Sequence, residues 1–218
     1  MEENFLKIDD LKVSGMLIKD SCEELVDLAD YQMIAVDKSR KYIWNQKEPF
    51  SLVRKGVAEK LLFAQKHLPE GIKLMIVEGY RSQNIQQEIF QWQRQEFKKQ
   101  YPDWDEERLV AEVLKFVASP ETNTPHSTGG AIDISLINES GDELDMGTAV
   151  NEGYDGRCLT NANNISDIAK KNRRILIENL EKAGFVNYPA EWWHWSHGDR
   201  YWAVVTKNNF AIYGCVKI

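Results

Sequence analysis

Thr124-Pro125-His126-Ser127-Thr128-Gly129-Gly130-Ala131-Ile132-Asp133-Ile134-Ser135-Leu136 is the stretch on which the fold turns. Its second half alternates, with Ile132, Ile134 and Leu136 on one face and Ala131, Asp133 and Ser135 on the other, which predicts a β-strand. Asp133 is then a carboxylate on the polar face. Gly129 and Gly130 let the preceding loop fold back, so that the His126 imidazole approaches the same point in space. Two metal-type ligands need a third. Far downstream, Glu191-Trp192-Trp193-His194 offers His194 together with a carboxylate that could work beside it.

Composition narrows the partners. With 218 residues, 43% of them hydrophobic, the chain is long enough for one compact domain with a proper core and short for two. One domain over residues 1–218 is therefore expected. A formal charge of -7 argues against a nucleic-acid surface, and no basic run or apolar stretch of membrane-spanning length is present. The expected partner is small or peptide-like. The acidic opening Met1-Glu2-Glu3 differs from a secretory leader, so a cytoplasmic protein is expected. Cys22, Cys158 and Cys215 are odd in number and far apart, so they predict reduced core or loop residues rather than a disulfide framework or a thiolate metal site.

Residues 1–50 show short apolar pieces without strong periodicity and receive no assignment. From Ser51 the apolar positions Leu52, Val53, Val57, Leu61, Leu62 and Leu68 recur at helical spacing, with Ser51 as cap and Pro69 and Gly71 as the stop. Residues 73–77 predict a short buried strand that runs into Glu78-Gly79-Tyr80-Arg81. Ser82 caps a helix to about residue 100 with Ile85, Ile89, Trp92 and Phe97 inward, and Asp105 caps another through Val117 that Pro120 ends. The polar faces of both read as solvated surface. Turn chemistry at Asn138–Asp142 predicts a hairpin that returns through 144–146, followed by a long loop over 151–164 of the kind that often belongs to a binding site. Ser166 opens a further helix with Ile168, Ile175, Leu176 and Leu180 inward and Gly184 beyond its end. Residues 185–186, 193–195, 202–205 and 210–216 are expected as short strands. The order predicts an α+β fold, helices packed on a central, mostly antiparallel sheet that carries the site.

The chemistry follows from the ligand set. Zinc in a hydrolytic site takes three protein ligands from His and Asp/Glu and leaves one position for water, whose pKa falls toward ~7. His126, Asp133 and His194 match that count, one ion per chain. Attack also requires a group that takes a proton from water and returns one to the departing amine, and Glu191 is placed to do both. A strictly pleated strand would put Glu191 and His194 on opposite faces, so a bulge or helical turn is predicted at Trp192-Trp193. Arg81, at the end of the 73–77 strand, is the candidate for the oxyanion. Each fragment alone has a plainer reading: a hydrogen-bonded His beside a Gly pair, or ion-pair partners for Arg81 and Glu191. It is the conjunction that favours a site. His197 is read as a loop residue outside the ligand set, and the tryptophans 192, 193, 195 and 202 mostly as sheet packing.

This conjunction resembles the VanX-type D-alanyl-D-alanine dipeptidases, within the wider zinc D-Ala-D-Ala metallopeptidases. The segment His126–Asp133 is similar to that family's His-Ser-x-Gly-x-Ala-Ile-Asp, and Glu191–Trp195 to its Glu-Trp-Trp-His-aromatic. Gly79-Tyr80-Arg81, Met146-Gly147-Thr148 and Asn172-Arg173-Arg174 also have counterparts there, so the resemblance covers about residues 74–203, while 1–50 match poorly. It implies zinc on His126, Asp133 and His194, Glu191 as general base then acid, and Arg81 at the transition state. It also implies a small cavity that admits a dipeptide.

Three positions depart from the family pattern. Val150-Asn151 replaces Phe-Asp, whose Asp stands near the substrate ammonium, so the charge is gone unless Glu152 or Asp155 supplies it. Thr124 stands for Ser, and Ser82 for Pro. Thr124 and Asn151 are thus the candidate substrate contacts. The expected activity is zinc-dependent hydrolysis of D-Ala-D-Ala or a close relative. Two rivals are a zinc carboxypeptidase or endopeptidase acting on longer cell-wall peptides, and a protein that binds metal and peptide without turnover.

Overall fold

In the computed structural model, residues 5–37, 49–114, 117–120, 124–152 and 155–218 are described. The central element is β5 (Ala131–Ile137), whose seven residues are all buried. It pairs antiparallel with β4 (Lys73–Glu78) on one side and with β7 (His194–Ser196) on the other. β2 (Ala35–Val36) lies parallel to β4, and β6 (Val186–Asn187) antiparallel to β7, giving a five-stranded sheet in the order β2-β4-β5-β7-β6. β1 (Leu25–Asp27) and β3 (Leu52–Arg54) form a separate antiparallel ribbon.

The described helices are α1 (Leu11–Ser14), α2 (Lys55–His67), α3 (Gln83–Gln100), α4 (Glu106–Val113), α5 (Asp167–Lys182) and α6 (Arg200–Val205). The α+β arrangement with a mostly antiparallel sheet is as expected from sequence, although strands and helices interleave rather than helices coming first. α2 and α5 pack on each other, and their residues Val57, Leu61, Leu176 and Leu180 share one core cluster with Leu74, Ile76, Ile132, Ile134 and Leu136 of the sheet. Each such side chain contributes roughly 1.5–3 kcal/mol by leaving water. A smaller cluster of Phe90, Val113 and Val117 joins α3 to α4. No described helix is long and apolar enough to cross a membrane.

Several caps act as read. Ser82, Asp105 and Ser166 each accept a hydrogen bond from a backbone N–H in the first turn of α3, α4 and α5. Gly184 follows α5 at φ +88°.

Other expectations are corrected. Leu52 and Val53 belong to β3, not to a helix. The Ser51 hydroxyl bonds Asp27 Oδ1 at 2.6 Å, and α2 starts only after Arg54. The helix capped by Asp105 ends at Val113, with residues 115 and 116 outside the described set. Trp92 and Ile168 point outward, 42% and 65% exposed, because Trp92 borders a cavity and Ile168 sits in the first turn of α5 beside its packed face. The return after β5 is a single bridge, Ile137 to Glu143, rather than a second strand. Residues 202–205 are helical, since the Asp199 carboxylate caps α6 by accepting from the Trp202 N–H at 2.8 Å. Residues 210–216 make one bridge, Ala211 to Ile18, and no strand.

Candidate metal centre

The site begins with register. Asp133 on β5 lies directly opposite His194 on β7 and opposite Glu78 on β4, so three polar side chains stand side by side across the sheet. The β4–β5 register shifts between Ile76 and Glu78, which re-aims the end of β4 and the Arg81 that follows it. His194 reaches the row because a hydrogen-bonded turn precedes β7, with its N–H donating to the Glu191 carbonyl at 3.2 Å. That is the turn predicted at Trp192-Trp193, and it brings the Glu191 carboxylate within 4.0 Å of His194 Nδ1.

His126 arrives on the short 3-10 turn Pro125–Thr128. The Ser127 and Thr128 hydroxyls donate to the carbonyls of Thr124 and Pro125 and close that turn. Gly129 ends it at φ +69°, and Gly130 passes so near His197 that a Cβ would meet the His197 carbonyl oxygen at 2.5 Å. The glycine pair therefore has the role read for it. Buried Arg54 anchors the same turn, with Nε donating to the Thr128 carbonyl at 2.8 Å.

The three ligand atoms converge. His126 Nε2, Asp133 Oδ1 and His194 Nδ1 are separated by 3.1, 3.2 and 3.4 Å. Metal–ligand bonds of about 2.0–2.1 Å in tetrahedral geometry require edges of about 3.3–3.4 Å, so this triangle has the dimensions of a metal face. His126 Nδ1 donates to the Gly79 carbonyl at 2.7 Å, which fixes the tautomer that turns the Nε2 lone pair inward. The ring of His194 presents Nδ1 to the centre. Its Nε2 is buried and has no described partner, as is also true of Ser196 Oγ on the same face of β7.

The electrostatics of the cluster follow from crowding. Burial opposes charge on His126, but the Asp133 carboxylate outweighs it and raises the imidazole pKa. Burial likewise pushes Asp133 up, and His126 and His194 more than reverse this, holding it well below the usual carboxylate range. Glu191 keeps 21% of its side chain exposed, yet burial pushes its pKa up to about 7, against the pull of His194 and with Asp133 adding to the rise. It can carry a proton near neutral pH.

A cavity of about 470 Å³ opens over this cluster. Its wall includes Arg81, Thr124, Asn151, Tyr188 and Glu191, so both candidate substrate contacts face it. Thr124 Oγ1 is buried without a described partner, and Asn151 adopts φ +58°. Glu152 and Asp155 do not line it: Glu152 accepts from the Ala149 N–H, and Asp155 pairs with Arg157. His197 bonds the Gly184 carbonyl at 3.0 Å and stays outside the cluster.

Sequence reasoning missed the residues that hold Arg81. Its Nε and Nη2 form a forked pair with the buried Glu78 carboxylate, and Nη1 donates to Gln86 Oε1 at 2.8 Å. The polar face of this helix is expected to be solvated, yet Gln86 is buried, with its Nε2 donating to the Ala118 carbonyl. The only available signal was the spacing of Gln86 one helical turn after the Ser82 cap. Arg173, quoted above within Asn172-Arg173-Arg174, is a buried clamp whose guanidinium donates to the carbonyls of Met146, Arg157 and Leu159, holding the loop that borders the site.

The chain is similar in sequence to several known proteins. The chain is 37% identical over 112 residues to a D-alanyl-D-alanine dipeptidase of Synechocystis sp., covering 44% of this chain and 45% of that protein. It is 32% identical over 146 residues to one from Enterococcus faecium, covering 64% and 69%. The chain thus spans less than half the length of the first relative and just over two thirds of the second. A looser likeness, at a TM-score of 0.47 and 20% identity over 87% of this chain and 86% of the other, is to a vancomycin resistance D,D-pentapeptidase VanY in complex with Zn(II). The profile of the family Peptidase_M15, described as D-ala-D-ala dipeptidase, matches residues 36–212, most of the chain, and the protein belongs to that family.

Proposed function

We propose that this protein is a zinc-dependent dipeptidase that hydrolyses D-Ala-D-Ala or a closely related cell-wall dipeptide. The observation that carries the reading is the His126–Asp133–His194 triangle with Glu191 at its edge and Arg81 on the same cavity wall. His126, Asp133 and His194 would hold the ion, and zinc suits two imidazoles and one carboxylate. When bound, it would supply Lewis acidity toward the peptide carbonyl and acidify a water.

The remaining work belongs to side chains. Glu191 takes the proton from the attacking water and returns it to the departing amine, which its position beside His194 and its pKa of about 7 both favour. Arg81, held by Glu78 and Gln86, turns its guanidinium to the negative charge that develops on the carbonyl oxygen. The Thr124 hydroxyl and the Asn151 amide contact the ends of the substrate.

Three free cysteines fit a reducing compartment and support a cytoplasmic location. One core cluster that draws on residues from Leu28 to Tyr213 supports reading residues 1–218 as a single domain.

The test is hydrolysis of D-Ala-D-Ala, an L,L control and a longer cell-wall peptide by metal-loaded protein, with Glu191→Gln alongside. The expected outcome is cleavage of D-Ala-D-Ala in preference to both others, and a loss of roughly a hundredfold or more in kcat for Glu191→Gln. Preference for the longer peptide would favour the carboxypeptidase or endopeptidase reading. Metal and peptide binding without turnover by the unmodified protein would favour a non-catalytic binder.

A further inference from the structure

A dipeptide brings a free ammonium as well as a carboxylate, and the ammonium lies two bonds from the carbon under attack. Its counter-charge must therefore come from the wall beside Glu191 and His194. Tyr188 builds that wall: its N–H donates to the His194 carbonyl at 3.0 Å, its carbonyl accepts from the Glu191 N–H at 2.9 Å, and its ring stands edge-on to His194 at 6.1 Å. Onto Tyr188 the chain lays a segment from its own beginning. Phe5 meets the Tyr188 ring edge-on at 5.8 Å, and Ile8 and Asp9 line the cavity together with Tyr188.

The other carboxylates on the cavity wall are already engaged. Glu78 is paired with Arg81, Asp133 belongs to the triangle, and Glu191 is the proton carrier. Asp9 makes no hydrogen bond or ion pair to another described residue, and the loop position 151 carries an uncharged amide. Residues 5–9 also lie outside the segment that matches the family.

We propose that Asp9 is a specificity-determining residue, the carboxylate that receives the free α-ammonium of the dipeptide, delivered to the cavity by the N-terminal segment through Tyr188. This assignment rests on the dipeptidase reading above. Because Asp9 is exposed, its attraction is partly screened and acts on binding rather than on the chemical step.

The experiment measures kcat and KM for D-Ala-D-Ala at low salt in the full chain, as wild type, Asp9→Asn, Asp9→Glu, and Asp9→Asn combined with Asn151→Asp. N-acetyl-D-Ala-D-Ala, which has no ammonium, is tested as substrate or competitive inhibitor. Asp9→Asn is expected to raise KM for the free dipeptide about fivefold with kcat within about twofold, and to leave the N-acetyl compound unaffected. Asp9→Glu and the added Asn151→Asp should each recover most of the loss, and higher salt should narrow the gap. If wild type cleaves the dipeptide and Asp9→Asn leaves KM unchanged, the assignment of Asp9 is overturned and the dipeptidase reading stands. If wild type cleaves no dipeptide, the dipeptidase reading fails and takes this one with it.

Discussion

Glu191 shows how one residue takes its chemistry from its surroundings. An ordinary glutamate is ionised well below neutrality, whereas burial beside Asp133 holds this one near 7 in the metal-free protein. A cation among the ligands adds positive charge and favours the ionised form, so its value falls on loading. In the proposed role the proton must be off before Glu191 can accept another, so kcat/KM should rise with pH on a single ionisation that lies below 7 and disappears in Glu191→Gln. A pH–rate profile of loaded enzyme checks this, and carboxyl NMR titration of metal-free protein should find the value near 7. The residue types at this centre were legible in sequence, because imidazole, carboxylate and guanidinium advertise their chemistry. Their partners were not: nothing in the local pattern says that Glu78 and Gln86 hold Arg81.

At the scale of the element, α3 does more than its apolar stripe suggested. Ile85 and Phe90 bury it, while Gln86 on the same helix holds the Arg81 guanidinium. Gln86→Leu should leave the helix intact and lower kcat by roughly tenfold with a smaller change in KM, because it frees Arg81, the group proposed to act in the transition state. Steady-state kinetics beside circular dichroism separates that effect from loss of fold. Element type was readable where caps and a full period coincided, as at Ser82, Asp105 and Ser166. It failed where the pattern was short. Residues 202–205 are apolar enough for a strand, but the Asp199 cap decides for a helix; Leu52 and Val53 have helical spacing, but pairing with β1 takes them into a ribbon.

For the whole molecule, the metal centre is also a clasp. Its proposed ligands come from the 3-10 turn, β5 and β7, so an ion held there would tie together segments 68 residues apart in sequence. Chelation should lower Tm, and added zinc should restore it by an amount that grows with free ion, about 2.7 kcal/mol at a hundredfold excess over Kd. Protons compete for the same atoms. The raised pKa of His126 means that acid fills the site with a proton, so zinc affinity should fall as pH drops, which competition with a chromogenic chelator at several pH values measures.

The amino-acid sequence by itself determined which side chains could bind a cation, the glycine turn that lets His126 fold back toward Asp133, and the apolar periodicity that makes this an α+β protein. Those are properties of composition and of neighbours along the chain. Only the tertiary structure decided that Asp133 faces His194 in register, that Arg81 is held by Glu78 and Gln86, and that Asp9 stands on the cavity wall. Asp133 meets His194, and Phe5 meets Tyr188, through the packing of distant segments into one core, and such contacts leave no periodicity in the chain from which they could be read.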